Sequence, residues 1–149
     1  MDDMGNAIFG EEIIVKNMIV PAKTENLDKV TAFVNEELEA HDCSAKAQMQ
    51  IELAIEELFI NIASYAYQPA EGDAEVRCEV SGEPPYAVIQ FLDSGVPFDP
   101  LARGEVDISQ EGIMSRVGGL GIHLVKKTMD DVQYVYEDGK NILTIQKKL

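Results

Sequence analysis

The sequence predicts an α+β protein, a two-layer sandwich in which helices cover one face of a mostly antiparallel mixed sheet. Three observations support this prediction. Apolar residues recur at spacings of three and four over residues 51–67, which is typical of a long amphipathic helix. Alternation at 75–81 predicts a half-buried strand, and the segments 87–92, 132–136 and 142–145 predict three more, which gives two strand pairs. Short turns join the members of each pair, at Gly82 to Pro85 and at Asp138-Gly139, so these strands are expected to run antiparallel.

The part of the chain before the long helix is expected to form a leader, a strand and a helix. Residues 1–11 have no clear hydrophobic period and predict a flexible leader, so the folded domain is expected to span residues 12–149. The β-branched segment 13–20 predicts a strand at a sheet edge or at a dimer contact. Thr24 is a suitable helix cap, and the apolar residues after it keep helical spacing to about residue 40.

The later helices have identifiable ends. Ser44 is expected to cap the long helix, which stops before Pro69. Residues 97–117 contain two prolines and two glycines with little periodicity, and a loop of this length is typically a functional lid or disordered. The glycines at 118–121 then begin a helix. Its inner side is expected to carry Ile122, Leu124, Val125 and Met129.

The composition limits the classes of partner. Twenty-seven acidic against twelve basic residues give a formal charge of −15, which argues against direct binding to nucleic acid. Cys43 and Cys78 fit neither a disulfide framework nor a metal spacing, so both are expected to be free thiols in a reducing compartment. The sequence has no signal peptide and no apolar run near the roughly 20 residues of a membrane span. A cytoplasmic location without membrane attachment is therefore expected.

The first candidate site is formed by Glu57 and Asn61, which lie four residues apart and thus on the same side of an apolar helix. Burying both groups is costly unless something polar lies against them. They can satisfy each other as a purely structural pair. Alternatively, the Asn61 oxygen suits Mg²⁺, which takes few protein ligands, and Glu57 can accept a proton from an attacking hydroxyl or water. Glu56 points about 100° away and is expected to be solvated or to support the site.

The second candidate site is the run Asp93-Ser94-Gly95-Val96-Pro97 at the end of a hydrophobic strand. An acid beside a glycine at a strand end fits an ordinary turn. It also fits a binding pocket in which Asp93 accepts a hydrogen bond from an exocyclic amine. Gly95 would then allow a planar base to approach the backbone.

The third candidate site is the glycine cluster at residues 118–121. Glycines at a helix N-terminus expose successive N–H groups and form a ready anion site. The cluster is short, and it is not a P-loop because no Lys-Ser/Thr follows. Arg103 and Arg116 flank it and are candidates to reach a phosphate, one of them being expected to remain a surface residue.

Taken together, three motifs resemble the N, G1 and G2 boxes of the GHKL (histidine kinase-like) ATPases. In chain order they are Glu57-x-x-x-Asn61, Asp93-x-Gly95-x-Pro97 and Gly118-Gly119-Leu120-Gly121-Ile122. Within that superfamily, the short chain, the helix ending in Tyr-Ala-Tyr and the run DSGVPFDP are most similar to the anti-sigma factor serine/threonine kinases. The resemblance covers roughly residues 12–148 and implies the Bergerat-type ATP-binding fold.

The resemblance also implies roles for individual residues. Glu57 would be the general base, and Asn61 would hold Mg²⁺ on the phosphates. Asp93 would accept a hydrogen bond from the adenine amine. Gly95 would back the ring, and residues 99–117 would form the ATP lid. The residues implied to bind the nucleotide are Asn61, Asp93, Gly95, Arg116, Gly118, Gly119, Leu120 and Gly121.

The implied function is an ATP-dependent and Mg²⁺-dependent protein kinase that phosphorylates an anti-sigma factor antagonist on Ser or Thr. Such a protein also sequesters a sigma factor and forms a homodimer. Apart from its two arginines, the predicted lid has few phosphate-binding residues. A non-catalytic module of the same fold, gated by ATP or ADP, is therefore the alternative. A detached histidine kinase catalytic domain is a weaker alternative, because no phosphoacceptor helix precedes the domain.

Overall fold

The computed structural model of the chain describes residues 7–8, 11–12, 15–102 and 117–149. Two short strands, β1 (Ala7–Ile8) and β2 (Glu11–Glu12), pair with each other in antiparallel fashion. The other elements are β3 (Val15–Pro21), α1 (Leu27–Ala40), α2 (Ala45–Tyr65), β4 (Asp73–Ser81), β5 (Tyr86–Asp93), α3 (Val117–Thr128), β6 (Asp131–Glu137) and β7 (Lys140–Lys148). Short 3-10 turns occupy Thr24–Asn26 and Pro100–Ala102.

The main sheet has five strands in the order β3-β4-β5-β7-β6, and each neighbouring pair is antiparallel. Side chains alternate between the two faces, as the strand pleat requires. In β4, Ala74, Val76, Cys78 and Val80 are buried, whereas the residues between them are only partly covered. Helices pack on the face that these four residues share. The predicted α+β sandwich with a mostly antiparallel sheet is therefore confirmed.

Helix α2 lies at the centre of the core because it packs against the sheet and both other helices. The inner residues of α2 are fully or almost fully buried: Ile51, Ala54, Ile55, Leu58 and Phe59. Phe91 and Ile89 of β5 and Ile145 of β7 belong to the same cluster. Burying a large apolar side chain contributes about 1.5–3 kcal/mol, so this cluster anchors α2 firmly. The polar positions of α2 are thereby held in fixed places.

The predicted N-terminal cap is confirmed for α2 and wrong for α1. The Ser44 hydroxyl accepts a hydrogen bond from the Ala47 N–H at 3.1 Å and caps α2, as predicted. The predicted cap at Thr24 is wrong, since Thr24 begins a 3-10 turn and α1 begins three residues later. Asn26 stands at the N-cap position, but its side chain donates to the Pro21 carbonyl at 2.8 Å instead of capping the helix.

The buried face of α3 contains fewer residues than the sequence predicted. Ile122, Val125 and Met129 are buried, in agreement with the sequence, but Leu124 is 47% exposed. Leu124 lies about 200° around the helix from Ile122, so the two side chains point in nearly opposite directions. The prediction that Leu124 faces the core is wrong.

The predicted boundary at residue 12 stays a prediction, and the short β1–β2 pairing spans it. Strand β3 lies at the edge of the five-stranded sheet, as predicted for segment 13–20. Within the part of the chain that the structure describes, every helix is too short or too polar to cross a membrane.

Candidate functional site

A cavity of about 500 Å³ lies between the C-terminal half of α2, the segment that follows β5, and strands β6 and β7. This volume is within the usual range for small-molecule sites. The lining is mostly apolar and includes few polar side chains. The lining residues are Leu58, Asn61, Ile62, Tyr65, Ala66, Phe91, Asp93, Val96, Pro97, Phe98, Pro100, Tyr134, Asn141 and Leu143.

Glu57 and Asn61 lie on the same side of α2, as predicted, and Asn61 lines the cavity. The Asn61 Nδ2 donates to Glu57 Oε2 at 3.4 Å. An ionised carboxylate can only accept, so the amide N–H must face it. Among the described residues, the Asn61 oxygen accepts no hydrogen bond, which leaves this hard oxygen for a cation. Glu56 is exposed, in agreement with the sequence.

Burial raises the pKa of Glu57 above its ordinary value of 4.5. The hydrogen bond from Asn61 acts in the opposite direction and lowers this pKa, while the nearby charge of Glu56 raises it further. A carboxylate that is partly desolvated binds a proton more tightly. Glu57 is therefore a stronger base than a glutamate in water.

Helix α3 approaches α2 at Glu57. A Cβ placed on Gly121 would overlap the Glu57 carboxylate and would lie 2.7 Å from its Cγ. Gly118, Gly119 and Leu120 are in the first turn of this helix, where backbone N–H groups have no partner within the helix. The fold thus brings the glycine cluster next to the Glu57–Asn61 pair. Arg103, Arg116 and most of the predicted lid, residues 103–116, lie outside the described residues.

Asp93 ends β5 at the cavity and is 6% exposed. Its Oδ1 accepts two hydrogen bonds, from the Gly95 N–H at 2.8 Å and from Asn141 Nδ2 at 2.9 Å. In the described parts of the chain, no hydrogen bond reaches the other oxygen, Oδ2. Asp93 is therefore held firmly and retains an unused acceptor.

Gly95 lies against the C-terminal end of α2. A Cβ at this position would be 2.6 Å from the Ala66 carbonyl carbon, and the next N–H, that of Val96, donates to the Ala66 oxygen at 3.1 Å. The close approach of two backbones explains the glycine. Gly95 itself is not among the lining residues, so its predicted place behind a ring stays a prediction.

The sequence interpretation did not identify Asn141 and Tyr134 as residues that line the cavity. It also missed the structural role of Tyr67. The Tyr67 hydroxyl donates to the Asp73 carbonyl at 2.6 Å and accepts from the Ser94 N–H at 2.7 Å, which joins the Asp93 turn to the segment after α2 and to the start of β4. A signal for Asn141 exists in the sequence. It is in phase with the inward residues Leu143 and Ile145, so a longer β7 would have placed it inside.

Comparison with known proteins assigns the fold to a family. Residues 20–147 match the family model of the histidine kinase-like ATPase domain. The chain therefore belongs to the histidine kinase-like ATPase family, and membership implies ATP binding. The resemblance to GHKL ATPases predicted from the three motifs is confirmed.

The individual relatives share about a third or less of their aligned residues with this chain. The chain is 29% identical to the serine-protein kinase RsbW of Listeria monocytogenes over 104 aligned residues. The aligned residues cover 67% of this chain and 66% of the Listeria protein. It is 33% identical over 97 residues to RsbW of Bacillus thuringiensis (strain Al Hakam), 62% of this chain and 59% of that protein. The solved structure of the Acinetobacter baumannii histidine kinase AdeS aligns with a TM-score of 0.45 at 12% identity, over 93% of this chain and 69% of that one. The match thus spans less than two thirds of each RsbW protein.

Proposed function

We propose that this protein is an ATP-dependent serine/threonine kinase that phosphorylates an anti-sigma factor antagonist and sequesters a sigma factor. The observation that carries the kinase proposal is the contact of Glu57 with both Asn61 and Gly121. This contact places a carboxylate of raised pKa between a cavity-lining amide and a glycine-rich helix start. The similarity to proteins named serine-protein kinase RsbW supports the choice of Ser or Thr as the acceptor.

The cavity suits the base of the nucleotide. Its walls are largely apolar and include Phe91, Ile62 and Leu143, which can pack on a planar ring. Asp93 supplies an acceptor for the exocyclic amine of adenine through Oδ2. A carboxylate in such a pocket discriminates strongly, because a ligand without the donor leaves it unpaired.

The proposed place of the phosphates is beyond the cavity, between Asn61 and the first turn of α3. The N–H groups in the first turn of α3, at Gly118, Gly119 and Leu120, have no partner within the helix and are suited to bind anionic oxygens. We assign Asn61 as a protein ligand of Mg²⁺, because its oxygen accepts no hydrogen bond from the residues that the structure describes and Mg²⁺ keeps most of its ligands from phosphate and water. The bound Mg²⁺ would neutralise phosphate charge. Arg116 is retained as a proposed phosphate ligand.

The transfer step requires a base near the phosphates. The hydroxyl oxygen of the acceptor Ser or Thr forms a bond to the γ-phosphorus, and the bond from that phosphorus to the bridging oxygen breaks. The electron pair leaves with ADP, and the hydroxyl proton passes to the Glu57 carboxylate. Positioning and charge neutralisation account for most of the catalysis in phosphoryl transfer, so a sparse site of this kind is sufficient.

We further propose a homodimer. The face of the sheet opposite the helices carries exposed apolar side chains, among them Ile19 at 63% and Val135 at 43% exposure, and Val15 at 39%. Ile19 and Val15 lie together on the edge strand β3, and Val135 lies on the opposite edge strand, β6. Apolar side chains exposed on the outer face of an edge strand favour association with a second surface. Sedimentation equilibrium of the purified protein tests this assignment. A monomer at all concentrations would contradict it.

Nucleotide binding is tested first by calorimetry with ATP, with and without Mg²⁺. The wild type should bind ATP, and Asn61→Ala should lose the Mg²⁺-dependent part of the affinity. Asn35→Ala is a matched control, because Asn35 also donates to a glutamate, Glu52, but between α1 and α2 and away from the cavity. Failure of the wild type to bind ATP would refute the proposed site.

Kinase activity is tested with labelled ATP and the purified antagonist proteins of the same organism. Glu57→Gln should lower the rate of phosphorylation by about 10²–10⁴-fold while ATP binding and sigma factor binding survive. Glu56→Gln should retain activity at neutral pH because Glu56 is exposed. If the wild type binds ATP but phosphorylates no antagonist, the protein is a nucleotide-gated binding module and the kinase proposal is wrong.

A further inference from the structure

Asn141 is a buried amide at the base end of the cavity, and the sequence motifs assign it no role. It belongs to the inward-facing row of β7 and is 7% exposed. The antiparallel register of β5 and β7 places it directly opposite Asp93, although the two residues are 48 positions apart in the chain. A buried polar side chain at such a position needs partners for all its polar groups.

The carboxamide of Asn141 is fully paired. Its Nδ2 donates to Asp93 Oδ1 at 2.9 Å and to the Val96 carbonyl at 2.9 Å, with the Gly95 carbonyl at 3.4 Å. Its Oδ1 accepts from the Phe98 N–H at 3.1 Å and from the Tyr134 hydroxyl. A side-chain amide has two donor hydrogens and two acceptor sites, and in Asn141 both donors and both acceptor sites have partners. The reverse orientation would place its oxygen against a carboxylate and a carbonyl, so only one orientation fits.

This pairing determines how Asp93 faces the cavity. Oδ1 is occupied by Asn141 and by the Gly95 N–H, so rotation of the carboxylate would break two hydrogen bonds. Oδ2 is left as the acceptor, with no partner among the described residues. A fixed acceptor is complementary to a base that presents an amine and is repelled by a base that presents a carbonyl at the same place.

Asn141 also holds the wall of the cavity. The segment after Asp93 carries two exposed apolar residues that line the cavity, Val96 at 62% and Phe98 at 44% exposure. Asn141 binds this segment on both sides, through the Val96 carbonyl and the Phe98 N–H. The same side chain thus fixes the acceptor and the wall that would lie next to the base.

We propose that Asn141 is a positioning residue that sets the base preference of the nucleotide site, favouring a 6-amino purine over a 6-oxo purine by fixing Asp93. This inference rests on the proposed nucleotide site and extends it to a specificity determinant. Asn141 acts through Asp93 and the 95–98 segment. Its loss should therefore change discrimination between bases more than it changes binding of the phosphates.

The experiment measures calorimetric affinity for ATP and for ITP, which carries a 6-oxo group. The wild type should prefer ATP. Asn141→Ala should weaken ATP binding about tenfold or more, the effect of losing one strong hydrogen bond, and should reduce the ATP-to-ITP ratio by a similar factor. Gln90→Ala is the matched control. It removes a side-chain amide that donates to Thr144 at 3.2 Å between the same two strands but on the opposite face, and it should leave the ratio unchanged.

A double variant tests the route of the effect. In an Asp93→Asn background the ATP preference should already be lost, and adding Asn141→Ala should not change the ratio further. If Asn141→Ala fails to fold, Asn141→Thr replaces it, since a β-branched residue suits the strand and keeps one donor. The threonine variant should have a ratio below that of the wild type.

The outcomes separate the two proposals. If the wild type binds neither nucleotide, the nucleotide site itself is refuted. If the wild type prefers ATP and the Asn141 variants keep its ratio, or lose affinity for ATP and ITP equally, Asn141 has only a structural role and this inference is overturned while the nucleotide site stands.

Discussion

Gly121→Ala adds one methyl group at the point where α3 meets Glu57. The added Cβ would overlap the Glu57 carboxylate and lie 2.7 Å from its Cγ. All of these atoms belong to a single, half-buried side chain with three rotatable bonds, so the glutamate is expected to move and the helix to stay in place. The perturbation therefore displaces the proposed base and leaves the surrounding fold intact.

The effects on stability nearly cancel. Alanine favours a helix interior over glycine by about 1 kcal/mol. Moving Glu57 breaks its hydrogen bond with Asn61, which is long at 3.4 Å, and a bond of this kind contributes about 1 kcal/mol. The free energy of unfolding should therefore change by less than about 1 kcal/mol. Phosphoryl transfer should fall by about 10²–10⁴-fold, the usual contribution of a general base.

The assay is the rate of antagonist phosphorylation at saturating ATP, combined with urea unfolding. Thr128→Ala is the control, because it alters the far end of the same helix, about 10 Å from Gly121. In a Glu57→Gln background, Gly121→Ala should cause no further loss of rate. A Gly121→Ala protein with the wild-type rate would refute the assignment of Glu57 as the base in this position.

The pH dependence of activity and two residues whose hydrogen bonds lie outside the cavity, Tyr67 and Ser44, provide further tests. Because burial raises the pKa of Glu57, activity should be lost as pH falls through a midpoint above 4.5, and Glu56→Gln should move that midpoint downward, since it removes the nearby charge that raises this pKa further. A midpoint at or below 4.5 in kcat/KM of the wild type would contradict this reasoning. Tyr67→Phe removes the hydroxyl that joins the Asp93 turn to the segment after α2, and the free energy of unfolding in urea should fall by about 1–2 kcal/mol. No change would show that water replaces the hydroxyl. Ser44→Ala should cost about 1 kcal/mol in the same assay, whereas Thr24→Ala, at a residue that caps no helix, should cost nothing measurable; equal effects would contradict the assigned cap.

The sequence was sufficient for features that depend on one element at a time. Helical spacing located α2 and placed Glu57 and Asn61 on the same side, because the geometry of a helix is set by its own backbone. Alternation located β4, and the Asp138-Gly139 turn located the β6–β7 hairpin, where both turn residues have positive φ. Local chemistry decided each of these features.

Other features depended on which elements meet. Thr24 is an acceptable cap in sequence, but it begins a 3-10 turn, and Asn26, at the N-cap position of α1, donates to the Pro21 carbonyl instead of capping the helix. The glycines at 95 and 121 were assigned to ligand binding from the sequence, whereas the structure shows what each touches in the protein, the end of α2 and Glu57. Such contacts join residues from separate elements and leave no periodic signal in the chain.

The sequence by itself determined the fold class, the position of the long helix and the three motifs of the site, because hydrophobic period, turn residues and motif spacing are local properties. Only the tertiary structure decided that Asn141 pairs with Asp93 and that α3 meets α2 at Glu57. The register of two strands and the packing of two helices are fixed by the burial of the whole core. Residues 48 positions apart can therefore form one hydrogen-bonded unit that no local sequence pattern predicts.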